Sequence, residues 1–231
     1  MKSRFLAAFA VSFISLGAAH AADLVFADSA PLIIPDAGFD WSGLYAGLNA
    51  GYIGGEAKSV GAVTGVTTNV PVSGGLIGGT LGFNAQFDRI VLGLEGDIAW
   101  TGATGTAVCT ANPAYNCQGK LDWLGTIKGR AGFAMDRVLF FGTAGFAAAS
   151  TTANVTPAAP AQTNTFSGTM GGWTVGAGIE AAVSDAITVK AEYSYVSLGG
   201  LQAPIGTLSS LQASDLTTTN HIFRLGVNYH F

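Results

Sequence analysis

The sequence predicts an all-β protein, an eight-stranded antiparallel transmembrane β-barrel with short periplasmic turns and four long extracellular loops. Three observations support this fold class. Apolar and polar residues alternate with a period of two in eight segments. Hydrophobic residues reach 49% while charged residues are only 10%, and no later segment has the 18 consecutive apolar residues of a spanning helix. Because lipid leaves no backbone polar group unpaired, such a chain crosses a membrane as a closed barrel.

The amino terminus has the features of an export signal. Lys2 and Arg4 precede a short apolar run, and Ala19 and Ala21 are the small residues that a signal peptidase reads. The alternative, a membrane-anchoring helix, needs about 20 apolar residues, and this run is shorter. We therefore predict a signal peptide over residues 1–21, an extended periplasmic leader over 22–40 and an outer-membrane barrel domain over 41–231.

The last strand shows the alternation most clearly. Side chains on a strand point to opposite faces in turn, so every second residue faces lipid. The apolar face consists of Phe223, Leu225, Val227, Tyr229 and Phe231, and the opposite face of Arg224, Gly226, Asn228 and His230.

Seven further segments repeat the pattern, near 44–52, 76–86, 90–100, 121–134, 138–148, 173–183 and 188–195. In the fourth, the alternation directs Leu121 and Trp123 to lipid and Asp122 inward. In the fifth both faces are apolar, so its register is uncertain.

The connections between these segments alternate between short and long. Tight turns at 87–89, 135–137 and 184–186 separate four segments of about 20 residues, near 53–74, 102–119, 149–171 and 199–219. Outer-membrane barrels keep short turns in the periplasm and long loops outside. Aromatic residues at both strand ends are typical of interfacial belts.

Charged residues recur on the inward faces. An eight-stranded barrel encloses a space that side chains just fill, so these charges are expected to pair as a plug. A narrow path for protons or small ions is the alternative. The predicted interior network contains Glu95, Asp97, Asp122, Lys128, Arg130, Glu180, Lys190, Glu192 and Arg224.

Two cysteines lie eight residues apart in the second long loop. In an exported chain, Cys109 and Cys117 are expected to form a disulfide. That loop contains no His, so we expect no metal site.

Other classes of function have little support. No Gly-x-Ser-x-Gly elbow occurs, and His221 and His230 are the two histidines beyond the predicted signal, so we expect no enzyme activity. The formal net charge of −4 gives no reason to expect a nucleic-acid partner. We expect no cofactor.

Four segments together carry a resemblance to a known family: FDWSGLYAGLNAGY at 39–52, GLIGG at 75–79, VLGLEGD at 91–97 and GVNYHF at 226–231. They resemble the small alphaproteobacterial outer-membrane β-barrels, the immunogenic surface antigens of Brucella and rhizobia. The architecture is also similar to the OmpA transmembrane domain. This resemblance implies a protein of the bacterial cell outer membrane that supports the envelope and presents surface loops.

Two other functions stay open: a narrow porin-like channel for ions or small solutes, and an adhesin or ligand receptor. The expected partners are outer-membrane lipid and lipopolysaccharide, together with the barrel-insertion machinery, while any extracellular ligand is unknown. The resemblance implies that the insertion machinery engages the closing strand through a carboxy-terminal signal, the apolar face formed by Phe223, Leu225, Val227, Tyr229 and Phe231.

Overall fold

The computed structural model describes residues 38–61, 65–110, 114–157, 164–203 and 214–231. The predicted signal peptide (1–21) and most of the predicted leader (22–37) lie outside these ranges. None of the described residues forms a helix long and apolar enough to cross a membrane. The described strands are β1 (Gly43–Gly61), β2 (Thr67–Phe87), β3 (Ile90–Thr101), β4 (Thr104–Val108), β5 (Tyr115–Met135), β6 (Val138–Pro157), β7 (Asn164–Ala182), β8 (Ile187–Ala203) and β9 (Ser214–His230).

The sheet closes on itself. Strand β1 pairs antiparallel with β2 on one side and with β9 on the other, and the ring continues through β8, β7, β6, β5 and β3 back to β2. The short β4 continues the line of β3 after Gly102 and Ala103, because both strands pair with β2 and β5. The ring therefore has eight walls, one of them interrupted, and the predicted fold class is confirmed.

The outer surface of the ring is apolar. Leu48, Leu94 and Phe146 on three different strands are exposed, whereas their strand neighbours Asn49 and Glu95 are buried. Lipid contact outside and side-chain contact inside favour this alternation. The faces predicted for the first three segments and the last three agree with the observed burial.

Tight turns join the strands at one end, which we call the turn end; the opposite end is the hairpin end. Asp88 and Asp136 adopt left-handed backbone conformations in two of these turns, with φ of 56° and 53°. Aspartate tolerates this region better than most residues because its short side chain bonds locally.

The segments predicted as long loops are in large part strand. Residues 53–60 of β1, for example, pair in register with residues 67–74 of β2. The lipid-type alternation ends there, but Val and Thr favour extended backbone and the ladder still satisfies the peptide groups. The hairpin end thus carries extended antiparallel ladders.

Two local features could not be read from the alternation. In β6, Leu139 and Phe141 are buried while Phe140 and Phe146 are exposed, which fixes the register that the sequence left uncertain. In β5, the register against β6 shifts between Leu121 and Trp123. This irregularity buries Leu121, so the prediction that Leu121 faces lipid was wrong.

Candidate functional site in the barrel interior

Eight charged side chains from five strands meet inside the barrel, and all are buried. They occupy the inward positions of their strands, because each is separated from the next inward residue by one outward residue. The acids are Glu95 and Asp97 on β3, Glu180 on β7 and Glu192 on β8; the bases are Lys128 and Arg130 on β5, Lys190 on β8 and Arg224 on β9. We call these eight residues the charge network. Its acids and bases are equal in number.

Lys128 lies at the centre of three carboxylates. Its Nζ is 3.1 Å from Oε1 of Glu95, 2.9 Å from Oδ2 of Asp97 and 2.7 Å from Oε1 of Glu192. The backbone of Lys128 pairs directly with that of Glu95, so the β3–β5 ladder sets their approach. One ammonium thus neutralises acids from two walls of the barrel.

Arg130 connects the network to the opposite wall. Its Nη2 donates to Oε2 of Glu180 at 2.6 Å, and its Nη1 donates to the Tyr45 hydroxyl at 3.1 Å. The guanidinium also lies 4.2 Å from the centre of the Phe141 ring, a cation–π contact. Phe141 therefore brings an apolar inner residue of β6 into contact with the network.

Tyr45 was not among the predicted network residues, yet it joins two of them. Its hydroxyl accepts from Arg130 and donates to Oε2 of Glu95 at 2.7 Å. The ring crosses the lumen above Gly82, where a Cβ would overlap it. An inward Tyr beside an inward Gly on the neighbouring strand was the sequence signal for this bridge.

The remaining bases complete the pairing. Lys190 Nζ lies 2.8 Å from Oε2 of Glu95 and 3.5 Å from Oε2 of Glu192. Arg224 is more loosely held, with Nη1 3.8 Å from Oδ2 of Asp97. Glu95 thus has contacts with three of the four cations.

Neutral polar groups hold the acids in position. The Thr80 and Thr126 hydroxyls donate to the two oxygens of Asp97 at 2.7 and 3.0 Å. On the other side, the Thr188 hydroxyl and the Asn228 amide donate to Oε1 of Glu180. These bonds satisfy lone pairs that a buried carboxylate would otherwise leave unpaired.

Asp122 does not belong to the charge network, which corrects the sequence-based prediction. The register shift next to Trp123 moves Asp122 out of the alternation. Its carboxylate lies 2.7 Å from Lys120 Nζ and accepts from the Thr152 hydroxyl at 3.0 Å, in a partly exposed position towards the hairpin end. Hydrogen bonding from Lys120, aided by that from Thr152, holds the pKa of the Asp122 carboxyl below its usual range.

An apolar layer lies on the hairpin side of the charge network. Ala99 follows Asp97 on the inner face, and Ile222 precedes Arg224. On β5, Leu124 lies beyond Thr126, which follows Lys128. With the ladders above them they form one buried cluster, which we call the upper cluster: Ile53, Val70, Val72, Leu76, Ala99, Ala103, Leu121, Leu124, Ala147, Ala149, Met170, Val196, Leu198, Leu216 and Ile222. This layer was not predicted from the sequence, although apolar residues at inward positions of the strands were its signal.

A second apolar group lies at the turn end. Phe39 and Trp41 pack edge to face, with ring centres 4.7 Å apart, and belong to a buried cluster with Val91, Ala134, Leu139, Phe141 and Ala182. We call it the lower cluster. The last residues of the predicted leader thus pack into the barrel end. His230 lies between this cluster and the charge network: its ring is 5.2 Å from that of Phe39, and its Nε2 is 3.7 Å from Oε1 of Glu180.

The predicted cysteine pair lies at the tip of the β4–β5 hairpin. Cys109 and Cys117 are joined by a disulfide, with Cα atoms 5.2 Å apart. The Cys109 amide also donates to the Tyr115 carbonyl at 2.9 Å. The disulfide therefore connects the two sides of this hairpin.

The residues of the predicted insertion signal line one face of β9. Their side chains point outward and more than half of each is exposed: Phe223, Leu225, Val227, Tyr229 and Phe231. The Phe231 amide donates to the Leu44 carbonyl at 3.0 Å, next to the seam that closes the ring.

Together, the closed eight-walled ring, the apolar outer band and the filled polar interior define an integral outer-membrane β-barrel. The chain belongs to the outer membrane protein beta-barrel domain family, whose model matches residues 8–231. It is therefore a protein of the bacterial outer membrane.

Known proteins agree with this assignment. The chain is 35% identical to the 31 kDa outer-membrane immunogenic protein of Brucella melitensis over 245 aligned positions, covering all of both chains. It is 34% identical to the 22 kDa outer membrane protein of Rhizobium leguminosarum bv. viciae, covering 49% of this chain and 48% of that protein. Among solved structures, OprG of Pseudomonas aeruginosa shares the fold with a TM-score of 0.55 at 11% identity, covering 84% of this chain and 98% of that one.

Proposed function

We propose that this protein is a non-conducting barrel that supports the integrity of the outer membrane and presents its hairpins at the cell surface. One observation carries the proposal: the charge network lies between two apolar clusters, so three successive layers fill the lumen. The Brucella relative's name, an outer-membrane immunogenic protein, supports exposure at the surface.

The three layers oppose ion flow for different reasons. A hydrated ion would lose its water in the upper cluster, around Leu124, Met170 and Ile222, which are at most 1% exposed. It would then have to displace Lys128 or Arg130 from carboxylates at 2.6–3.1 Å. Breaking such buried pairs costs about 3–5 kcal/mol each. The lower cluster repeats the apolar barrier at the turn end.

We predict that the purified protein shows no stepwise conductance in planar lipid bilayers. An open porin inserted in the same bilayers is the positive control, and recovered heat-modifiable protein shows that the barrel entered the membrane folded. The rival function is a narrow porin-like channel. Reproducible, ion-selective conductance steps from the folded barrel would establish that rival and reject the proposal.

An adhesin or receptor function has less support. Protein-binding hot spots are rich in Trp, Tyr and Arg. The β4–β5 hairpin beyond Trp100 and Trp123 contains one aromatic residue, Tyr115, within residues 102–110 and 114–122 that the structure describes. We therefore assign surface presentation to the hairpins and propose no ligand for them.

The outward face of β9 supports a role in assembly. Phe223, Leu225 and Phe231 leave large apolar surfaces exposed on the strand that closes the ring, next to the β1 seam. A free β9 would present this face before closure. We infer that the barrel-insertion machinery engages it.

Deletion of Phe231 is expected to lower the amount of folded protein in the outer membrane several-fold. The deletion removes the hydrogen bond from the Phe231 amide to the Leu44 carbonyl, which is worth only about 1 kcal/mol. Refolding in detergent should therefore be nearly unchanged. The measurement is heat-modifiable protein on gels, from cells and from refolding reactions. Phe231→Tyr keeps the ring and should behave as wild type; normal cellular assembly after the deletion would contradict the insertion role.

A further inference from the structure

A shallow apolar groove lies on the outer surface of the barrel, across β1, β9, β8 and β7. Its volume is about 600 Å³, within the range of ~300–1,000 Å³ of small-molecule sites. Small outward residues, Ala50, Ala177 and Ala191, form its floor. Large side chains stand on both sides of this floor, among them Ile179, Tyr193, Phe223 and Leu225.

The strand register explains the walls of the groove. Ala191 pairs with Leu225 on one side and with Ile179 on the other, so a small residue lies between two large ones. One row closer to the hairpin end, Tyr193 pairs with Phe223 and with Ala177. The groove therefore runs between aliphatic and aromatic side chains, a shape suited to an extended hydrocarbon chain.

A polar pair lies where the groove reaches the hairpin end. The Tyr193 hydroxyl is 2.7 Å from Nδ1 of His221, and both residues are exposed on the outer surface. Tyr195 packs on the same imidazole, with ring centres 5.3 Å apart. His221 shares the outward face of β9 with Phe223 and Leu225, so a hydrogen-bonding group interrupts an apolar row at the level of the aromatic belt.

We infer that this groove is a binding site for lipopolysaccharide, with one acyl chain between the ridges and a phosphate or sugar oxygen bonded to Tyr193 and His221. The inference rests on the outer-membrane placement of the barrel with its hairpins outside. The outer leaflet consists largely of this phosphorylated, multiply acylated glycolipid. A hydroxyl and an imidazole are suited to phosphate and sugar oxygens, the imidazole most strongly when protonated.

The chain offers a matched pair of variants for the groove. Ala191→Phe fills the floor between Leu225 and Ile179. Ala131→Phe adds the same phenyl group at an outward alanine on β5, on another side of the barrel. The wild type and both variants are extracted in mild detergent, stripped of lipid and mixed with purified lipopolysaccharide. Native mass spectrometry then measures bound glycolipid. We expect Ala191→Phe to retain at least tenfold less than the wild type and Ala131→Phe to retain as much.

The polar rim is tested separately with Tyr193→Phe and His221→Ala. Tyr193→Phe keeps the aromatic wall and loses only the hydroxyl, so it decides the question even where Ala191→Phe fails to fold. We expect each rim variant to bind lipopolysaccharide several-fold more weakly, with phosphatidylglycerol binding unchanged. Equal glycolipid retention in the two phenylalanine variants would overturn the inference. So would unaltered lipopolysaccharide binding in the rim variants, or an equal loss of phosphatidylglycerol binding in them. Conductance is measured independently, so failure here leaves the proposed non-conducting function unaffected.

Discussion

Replacement of Lys128 by methionine is expected to lower the free energy of unfolding by about 3–5 kcal/mol, the cost typical of breaking a buried ion pair. The substitution removes the ammonium that lies within 3.1 Å of Glu95, Asp97 and Glu192 and leaves three carboxylates with too few cations. Reversible unfolding in urea, followed by tryptophan fluorescence in lipid vesicles, measures the change. Conductance is expected to remain at zero, because the upper and lower clusters still close the lumen.

Lys120→Met is the matched control for this result. Lys120 pairs with Asp122 at 2.7 Å, but their side chains are 48% and 31% exposed, so solvent screens the pair. Its loss should cost about 0–1 kcal/mol. Adding Glu192→Gln to Lys128→Met restores the charge balance and should recover part of the stability. A Lys128→Met barrel of unchanged stability that conducts ions would show that water fills the lumen.

Leu94→Arg is expected to lower the free energy of unfolding in a bilayer by about 2–4 kcal/mol. Leu94 is 66% exposed on the outer face of β3, between its two ends, so the guanidinium would enter the hydrocarbon. The same urea titration in vesicles provides the measurement.

Two controls test whether the cost of the substitution depends on its depth in the membrane and on the face of the strand. Leu44→Arg makes the same change near the turn end of β1, where the cost falls to about 0–1 kcal/mol. Thr126→Ser on the inner face keeps the hydroxyl that bonds Asp97 and should be nearly silent. Equal destabilisation at Leu94, Leu44 and Thr126 would contradict the assignment of the outer face to lipid.

The interior of the barrel places charged groups in a buried environment, where each needs a partner of opposite charge. The buried charges are balanced by opposite charges next to them: Glu95 alone contacts Lys128, Lys190 and Arg130. Apolar clusters lie on both sides of these pairs, and a low local dielectric strengthens such buried pairs. Under the proposed non-conducting function, these layers would give the barrel a packed core in place of a pore.

By itself, the sequence determined which residues of most strands face lipid. That constraint is local, because every outward residue meets hydrocarbon whatever its neighbours do, and it repeats with a period of two. The turns at Asp88 and Asp136 were readable for the same reason, since they depend on a few adjacent residues. Eight of the nine predicted network charges also lie inside, because inward direction follows from the same alternation.

Only the tertiary structure decided the exceptions and the pairing. A register shift beside Trp123 removed Asp122 from the interior and buried Leu121, and no local pattern marks such a shift. The partners inside the lumen are distant in sequence: Lys190 meets Glu95 across 95 residues, and Tyr45 meets Glu95 across 50. The stagger of the closed ring determines these contacts and also the apolar layers, because both depend on which strands face each other across the barrel.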